Sequence, residues 1–184
     1  KQLTKKDQEW HSDEAKAVVA KEVGKLIEAK VWDVEAVSRK SVSNPNATFV
    51  RVFLIMGLKN SETDNPSYKA RLVVQGNWVT DNLGQQVFYS DTSSAPTNMT
   101  CIRSVVSYGQ LSGGGSSTAD AEQAFIQPEI PSDEYIYITF PKELMSPEMA
   151  KSCEGVEDPV FRLRRPLYGW TRSGNIWEKH LEDT

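Results

Sequence analysis

Apolar residues recur every four positions at Ala15, Val19, Val23 and Ile27, with Val18 and Leu26 beside them. That spacing predicts an amphipathic helix with one buried face, running to about residue 30. Ser12 stands where an N-cap belongs, and Asp13 and Glu14 follow in the first turn, where the helix dipole favours acids. A short strand is expected over 31–37, then a polar loop over 38–46 with Asn-Pro punctuation. Residues 48–59 are β-branched and aromatic and read as a strand, with 68–76 as its partner. The intervening 60–66 has turn chemistry, so 48–76 is predicted to form a β-hairpin. In its second strand Lys69 and Arg71 share one face, and Ala70 and Leu72 share the other.

Residues 77–96 are long, polar and weakly patterned. A helix is expected from about residue 97, carrying Ile102, Val105, Val106 and Gly109 inward. The stretch Ser112-Gly-Gly-Gly-Ser-Ser117 is flexible-loop chemistry. Residues 134–140 alternate as a strand, with Tyr135, Tyr137 and Thr139 opposite Ile136, Ile138 and Phe140. Ser146-Pro147-Glu148 signals a helix start, with Pro at the first helical position. A strand over 160–164 and a helix from Ser173 complete the pattern. No segment repeats. The alternation of elements makes the fold class α+β, with antiparallel strands and packing helices. Residues 1–96 form a helix-and-hairpin region and 97–184 a second α+β region.

The 184 residues suffice for one large domain or two small subdomains. Hydrophobic residues at 39% and charged residues at 25% fit a soluble globular protein. No apolar run approaches the roughly 20 residues needed to cross a bilayer, so no membrane insertion is expected. The chain opens Lys-Gln-Leu-Thr-Lys-Lys, which reads as a piece of something longer. Cys101 and Cys153 lie far apart and read as reduced thiols; with only His11 and His180 besides, a zinc site is not expected. A net charge of −4 argues against tight nucleic-acid binding by this chain alone. Charge is uneven, however. Between Phe161 and His180, Arg162, Arg164, Arg165, Arg172 and Lys179 face one acid, Glu178, a patch suited to a template or a triphosphate.

The stretch Thr118-Ala119-Asp120-Ala121-Glu122-Gln123-Ala124-Phe125 places a carboxylate where a strand should end and a ring five residues later. Nucleotidyl transfer needs two divalent metals about 3.5–4 Å apart, held by carboxylates and triphosphate oxygens. Magnesium prefers such hard oxygen ligands. One Asp at a strand end can bridge both ions, the following turn can present backbone groups to the triphosphate, and a ring beyond it can pack under the sugar. Asp120, Ala121 and Phe125 fit those positions. On local pattern alone, Asp120 can equally be a turn or helix cap and Phe125 a core residue.

Order and context point one way. Tyr68-Lys-Ala-Arg-Leu-Val-Val-Gln-Gly76 is very close to "YKARLVARG", a signature strand of the copia-type retrotransposon reverse transcriptases. Trp10, Glu22, Leu26 and Trp32 resemble that family's opening helix and the Trp after it, and Arg51-Val-Phe53 its first fingers strand. Phe88-Tyr-Ser-Asp-Thr-Ser-Ser-Ala-Pro96 with Ile102-Arg103, Ala119 to Phe125, and Glu134 to Tyr137 with Phe140-Pro141 occupy further family blocks in order. Phe161-Arg-Leu-Arg-Arg-Pro-Leu-Tyr-Gly169 with Trp177 resembles "VCRLKKSLYGLKQSPRQW". The resemblance runs across nearly the whole chain.

It implies reverse-transcriptase-like fingers with an incomplete palm, without thumb or RNase H. Asp120 would be the catalytic and metal-binding carboxylate, and Phe125 the sugar gate. Ala121, Lys69 and Arg71 would meet the triphosphate, and Tyr168 and Gly169 would lie near base and template. Lys69 and Arg71 also read as ordinary strand cations, and Tyr168-Gly169 as a helix-start turn. Mg2+ would serve the complete enzyme, with an RNA/DNA primer-template and dNTP as partners, in an intracellular setting of cytoplasm or nucleus. The chain departs from the family at Ser173-Gly174, where Ser-Pro is usual, at Ile126-Gln127-Pro128, where an Asn-Gly turn is usual, and at the acid that opens the 88–96 block, for which Asp91 is the candidate. No Asp-Asp pair occurs, so the Tyr-x-Asp-Asp hairpin with the remaining carboxylates is missing and the chain alone is expected to be inactive. The alternative is a domesticated, non-catalytic remnant that serves as a structural or interaction subunit with protein partners in a larger assembly.

Overall fold

The computed structural model describes residues 1–63, 65–90, 92 and 97–183. Asp91, with most of the end of the 88–96 block, lies outside the described residues.

Helix α1 (Asp13–Glu28) is started as its sequence predicts: the Ser12 side chain accepts from the Ala15 N–H at 3.1 Å. Its face of Ala15, Val23 and Leu26 is buried, and the chain leaves through Lys30 at φ +52°. Strands β1 (Gln2–Leu3) and β2 (Val37–Ser38) are short edge pieces. The strand expected over 31–37 is mostly absent. Trp32 makes one bridge to Leu163, and the backbone of 34–36 is met by a side chain instead. Ser152 Oγ accepts from Ala36 N at 3.1 Å and lies 2.9 Å from the Val34 carbonyl. A segment whose polar groups are satisfied this way has no need of a ladder.

Strands β3 (Thr48–Lys59) and β4 (Ser67–Val74) form the hairpin, in register from Val52↔Val74 to Lys59↔Ser67. Val50, Val52, Met56, Ala70, Leu72 and Val74 are buried, while Arg51, Phe53, Lys69 and Arg71 are exposed. The two faces divide as alternation requires. Strand β5 (Ile136–Thr139) runs parallel to the first half of β3, and β6 (Pro159–Arg162) joins β5 antiparallel. The order is β1-β3-β5-β6-β2, and β4 pairs β3 off this path. The sheet is therefore mixed and open, not all antiparallel as expected, and it draws strands from both sides of residue 96. A parallel pair needs a long crossover, and residues 60–135 supply it.

The core lies under this sheet, where Val23 and Leu26 of α1 join Val52, Leu72, Ile136, Ile138, Phe161 and Leu163 in one buried cluster. Each such side chain contributes about 1.5–3 kcal/mol on burial. Helix α3 (Pro147–Ser152) begins on a Ser146 cap to Met149 N at 3.2 Å. Helix α4 (Ser173–Glu182) buries Ser173, Asn175 and Ile176. Helix α2 (Met99–Leu111) breaks the pattern. Ile102, Val105 and Val106, expected to point inward, are 45%, 67% and 40% exposed, and no residue of the helix is buried. Among the described residues, four α-helices and the open sheet make an α+β fold, and no helix is long and apolar enough to cross a membrane.

Candidate functional site

The chain leaves β6 through Leu163, whose N–H donates to the Ile136 carbonyl at 2.8 Å, and buries Pro166 and Leu167. It then turns against the end of β4. The Val74 N–H donates to the Tyr168 carbonyl at 2.8 Å. Gly169 sits at φ +85°, in the left-handed region that favours glycine. A Cβ there would fall inside 3.0 Å of Val74 O and of Val73 Cγ1. A Cβ on Gly76 would in turn fall inside 3.0 Å of the Gly169 carbonyl. The glycines that end two separate sequence blocks thus face each other, and each lets the other's backbone approach.

This docking sets Tyr168 beside the exposed face of β4. The Arg71 guanidinium carbon lies 5.6 Å from the Tyr168 ring centroid, and Phe125 meets the same ring edge-on at 5.1 Å. Lys69 stands two residues along the same face and is exposed. Glu22 of α1 lies close enough to both cations to feel their charge. Burial raises its carboxyl above the ordinary value, and Lys25, Arg71 and Lys69 oppose that rise.

Phe125 is held there by Arg165, which the sequence did not single out beyond its charge. Its Nη1 donates to the Ile126 carbonyl at 3.1 Å and also to the Gln127 carbonyl, and its Nη2 lies 3.4 Å from Glu129. The turn is entered through Gln123 at φ +52°, and Gln127 donates back to the Glu122 carbonyl at 2.8 Å.

Asp120 and Ala121 take no part in this cluster. Residues 114–121 form no strand, and both side chains are exposed. The expected strand end at Asp120 is not formed: among the described residues no neighbouring strand pairs with the backbone of 118–121. Among the described residues no three His, Cys, Asp or Glu side chains gather where they could hold an ion. Asp120 is exposed and stands apart from any such group, and one carboxylate does not by itself hold two ions.

The basic patch of the sequence also changes meaning. Arg164 forms a bidentate pair with Asp33 at 2.8 and 2.7 Å, Arg162 stacks 4.5 Å from the Tyr135 ring, and Arg172 pairs with Glu134. With Arg165 on its carbonyls, these four arginines serve the fold. Arg172 belongs to a half-buried group in which Tyr89 bonds Thr48 at 3.0 Å and meets the Trp170 ring edge-on at 6.2 Å. Burial raises the Tyr89 hydroxyl above its ordinary value. Arg71 stays outward beside the Tyr168 ring, and Lys69 is exposed on the same face of β4.

Comparison with protein-family models, with curated proteins and with solved structures finds no match for this chain.

Proposed function

We propose that this chain is the fingers (1–96) and front palm (97–184) of an RNA-directed DNA polymerase of copia type. The observation that carries the reading is the meeting of Arg71, Phe125 and Tyr168, which come from three blocks far apart in sequence. Two aromatic rings packed edge-on with a guanidinium beside them suit a nucleotide: a ring face takes base or sugar, and the cations take phosphates. In this reading Phe125 gates the sugar, and Lys69 and Arg71 meet the triphosphate together with the backbone at Ala121. Tyr168 and Gly169 lie beside base and template. Asp120 is one metal ligand of the complete enzyme, and the chain alone is inactive because one exposed carboxylate cannot hold two ions.

The test is magnesium-dependent primer extension by the full-length protein. Extension is expected, and Asp120→Ala is expected to abolish it; extension that survives the substitution removes Asp120 from the chemistry. For the 184 residues alone, Arg71→Ala should weaken dNTP binding roughly tenfold or more, the loss of one charge-assisted contact. A second reading, the non-catalytic interaction subunit, is favoured by the exposure of Asp120 and by the net charge of −4. It requires a protein that elutes with a stable partner and extends no primer.

A further inference from the structure

Among the described residues, an uncovered helix and an uncovered groove match in size. One is α2, of whose 13 residues all but Gly109 are exposed, with Ile102, Val105 and Val106 along one side. It leads into the exposed coil that contains Gly113, Gly114 and Gly115. The other is a groove of about 1150 Å³ between α1 and the segment 141–147, floored by Leu54, Met56 and Val74. On the α1 side Ala20 and Gly24 sit one turn apart, and a Cβ at Gly24 would meet nothing within 4 Å. Small residues at that spacing leave room for a second helix to approach closely.

We propose that two copies of this chain pair reciprocally, each laying α2 into the other's groove. A 13-residue helix is about 20 Å long and 10 Å across, so its buried half displaces roughly 800 Å³, which the groove accommodates. That half presents roughly 400 Å² of surface, so one seat with its matching groove buries about 800 Å², short of a stable interface. Two seats related by a two-fold axis bury about 1600 Å², the standard size. The area selects the reciprocal pair over a single insertion.

The experiment is sedimentation or light scattering of the intact chain across a range of concentrations. The expected mass is twice 20.6 kDa. Ile102→Lys with Val105→Lys lies on exposed positions and should leave folding intact, yet weaken the dimer at least about a hundredfold by bringing like charge against Lys5, Lys16 and Arg51, which line the groove. Gly24→Leu fills the groove and favours the α1 helix itself, so it should also give a folded monomer. Mixing the helix variant with the groove variant retains one seat, and a weak heterodimer should form. A wild-type monomer at all concentrations overturns the proposal. So does a Gly24→Leu protein that still dimerises, which would mean that α2 pairs with α2.

Discussion

Gly169→Ala isolates the joint on which the site depends. The new Cβ would fall inside 3.0 Å of Val74 O and Val73 Cγ1, at a residue held at φ +85°. Holding a left-handed backbone costs a non-glycine residue about 1–2 kcal/mol. Relieving the overlap moves the loop off the end of β4, which loses the 2.8 Å bond from Val74 N to the Tyr168 carbonyl. That loss is worth roughly 0.5–1.5 kcal/mol. The same shift loosens Leu167 and Trp170, both buried, for about 1–2 kcal/mol more. The total is about 3–5 kcal/mol, a large part of the roughly 5–15 kcal/mol that stabilises an ordinary domain. Urea unfolding followed by tryptophan fluorescence reads it, since Trp170 lies at the joint. Gly84→Ala is the control: its φ is +79°, but the added Cβ meets nothing within 4 Å. It carries only the backbone cost. A Gly169→Ala midpoint no lower than that of Gly84→Ala would refute the docking of the 168–169 turn on β4.

Arg165→Met should leave the rest of the fold in place but free the 124–127 turn, for about 1–2 kcal/mol, because a half-buried guanidinium no longer meets two carbonyls; amide exchange should quicken at Ile126 and Gln127 and stay unchanged in β3. Glu22 gives a pH dependence. Its folded value is raised, so the unfolded chain loses its proton first, and stability falls as pH rises through the folded value. Glu22→Gln should therefore raise the melting temperature at neutral pH and not in acid; a variant that melts no higher at neutral pH would mean that Lys69 and Arg71 already compensate the burial.

The hairpin and α1 are readable in the sequence because each carries its own signal: β-branched and aromatic runs about a turn in one case, a Ser12 cap before a four-residue repeat in the other. The Gly76 and Gly169 positions are visible as glycines, but their mutual approach is not, since it depends on where β6 delivers the chain. The parallel pairing of β5 with β3 has no local signal at all. For α2, periodicity identifies an apolar side and says nothing of what covers it. For 34–36, the Ser152 hydroxyl replaces a strand partner from 116 residues away, measured to Ala36. The arginines of 162–172 mislead for a related reason. A run of cations reads as a binding patch until the fold brings Asp33, Glu134 and the 126–127 carbonyls to them. Lys69 and Arg71, on a strand whose opposite face is buried, have no such route inward, which is why alternation alone selects them.

Asp120 shows how far the cluster constrains the chemistry. Five residues of extended chain span at most about 17 Å, so Phe125 at the Tyr168 ring tethers Asp120 within that radius. Inside it, the carboxylate can stand over Arg71 or far from it. What would narrow the choice is a strand, and a strand over 118–121 cannot persist alone because its N–H and C=O groups need a neighbouring ladder. A neighbour pairing there would also fix alternation, placing Asp120 and Glu122 on one side and Ala121 on the other. The polymerase reading therefore makes a structural demand separate from catalysis. Whatever chain pairs with 118–121 must turn Asp120 toward the β4 face, so slowed amide exchange at Ala121 and Glu122 should accompany activity in the full-length protein. Primer extension with those amides still exchanging freely would place the working carboxylate elsewhere.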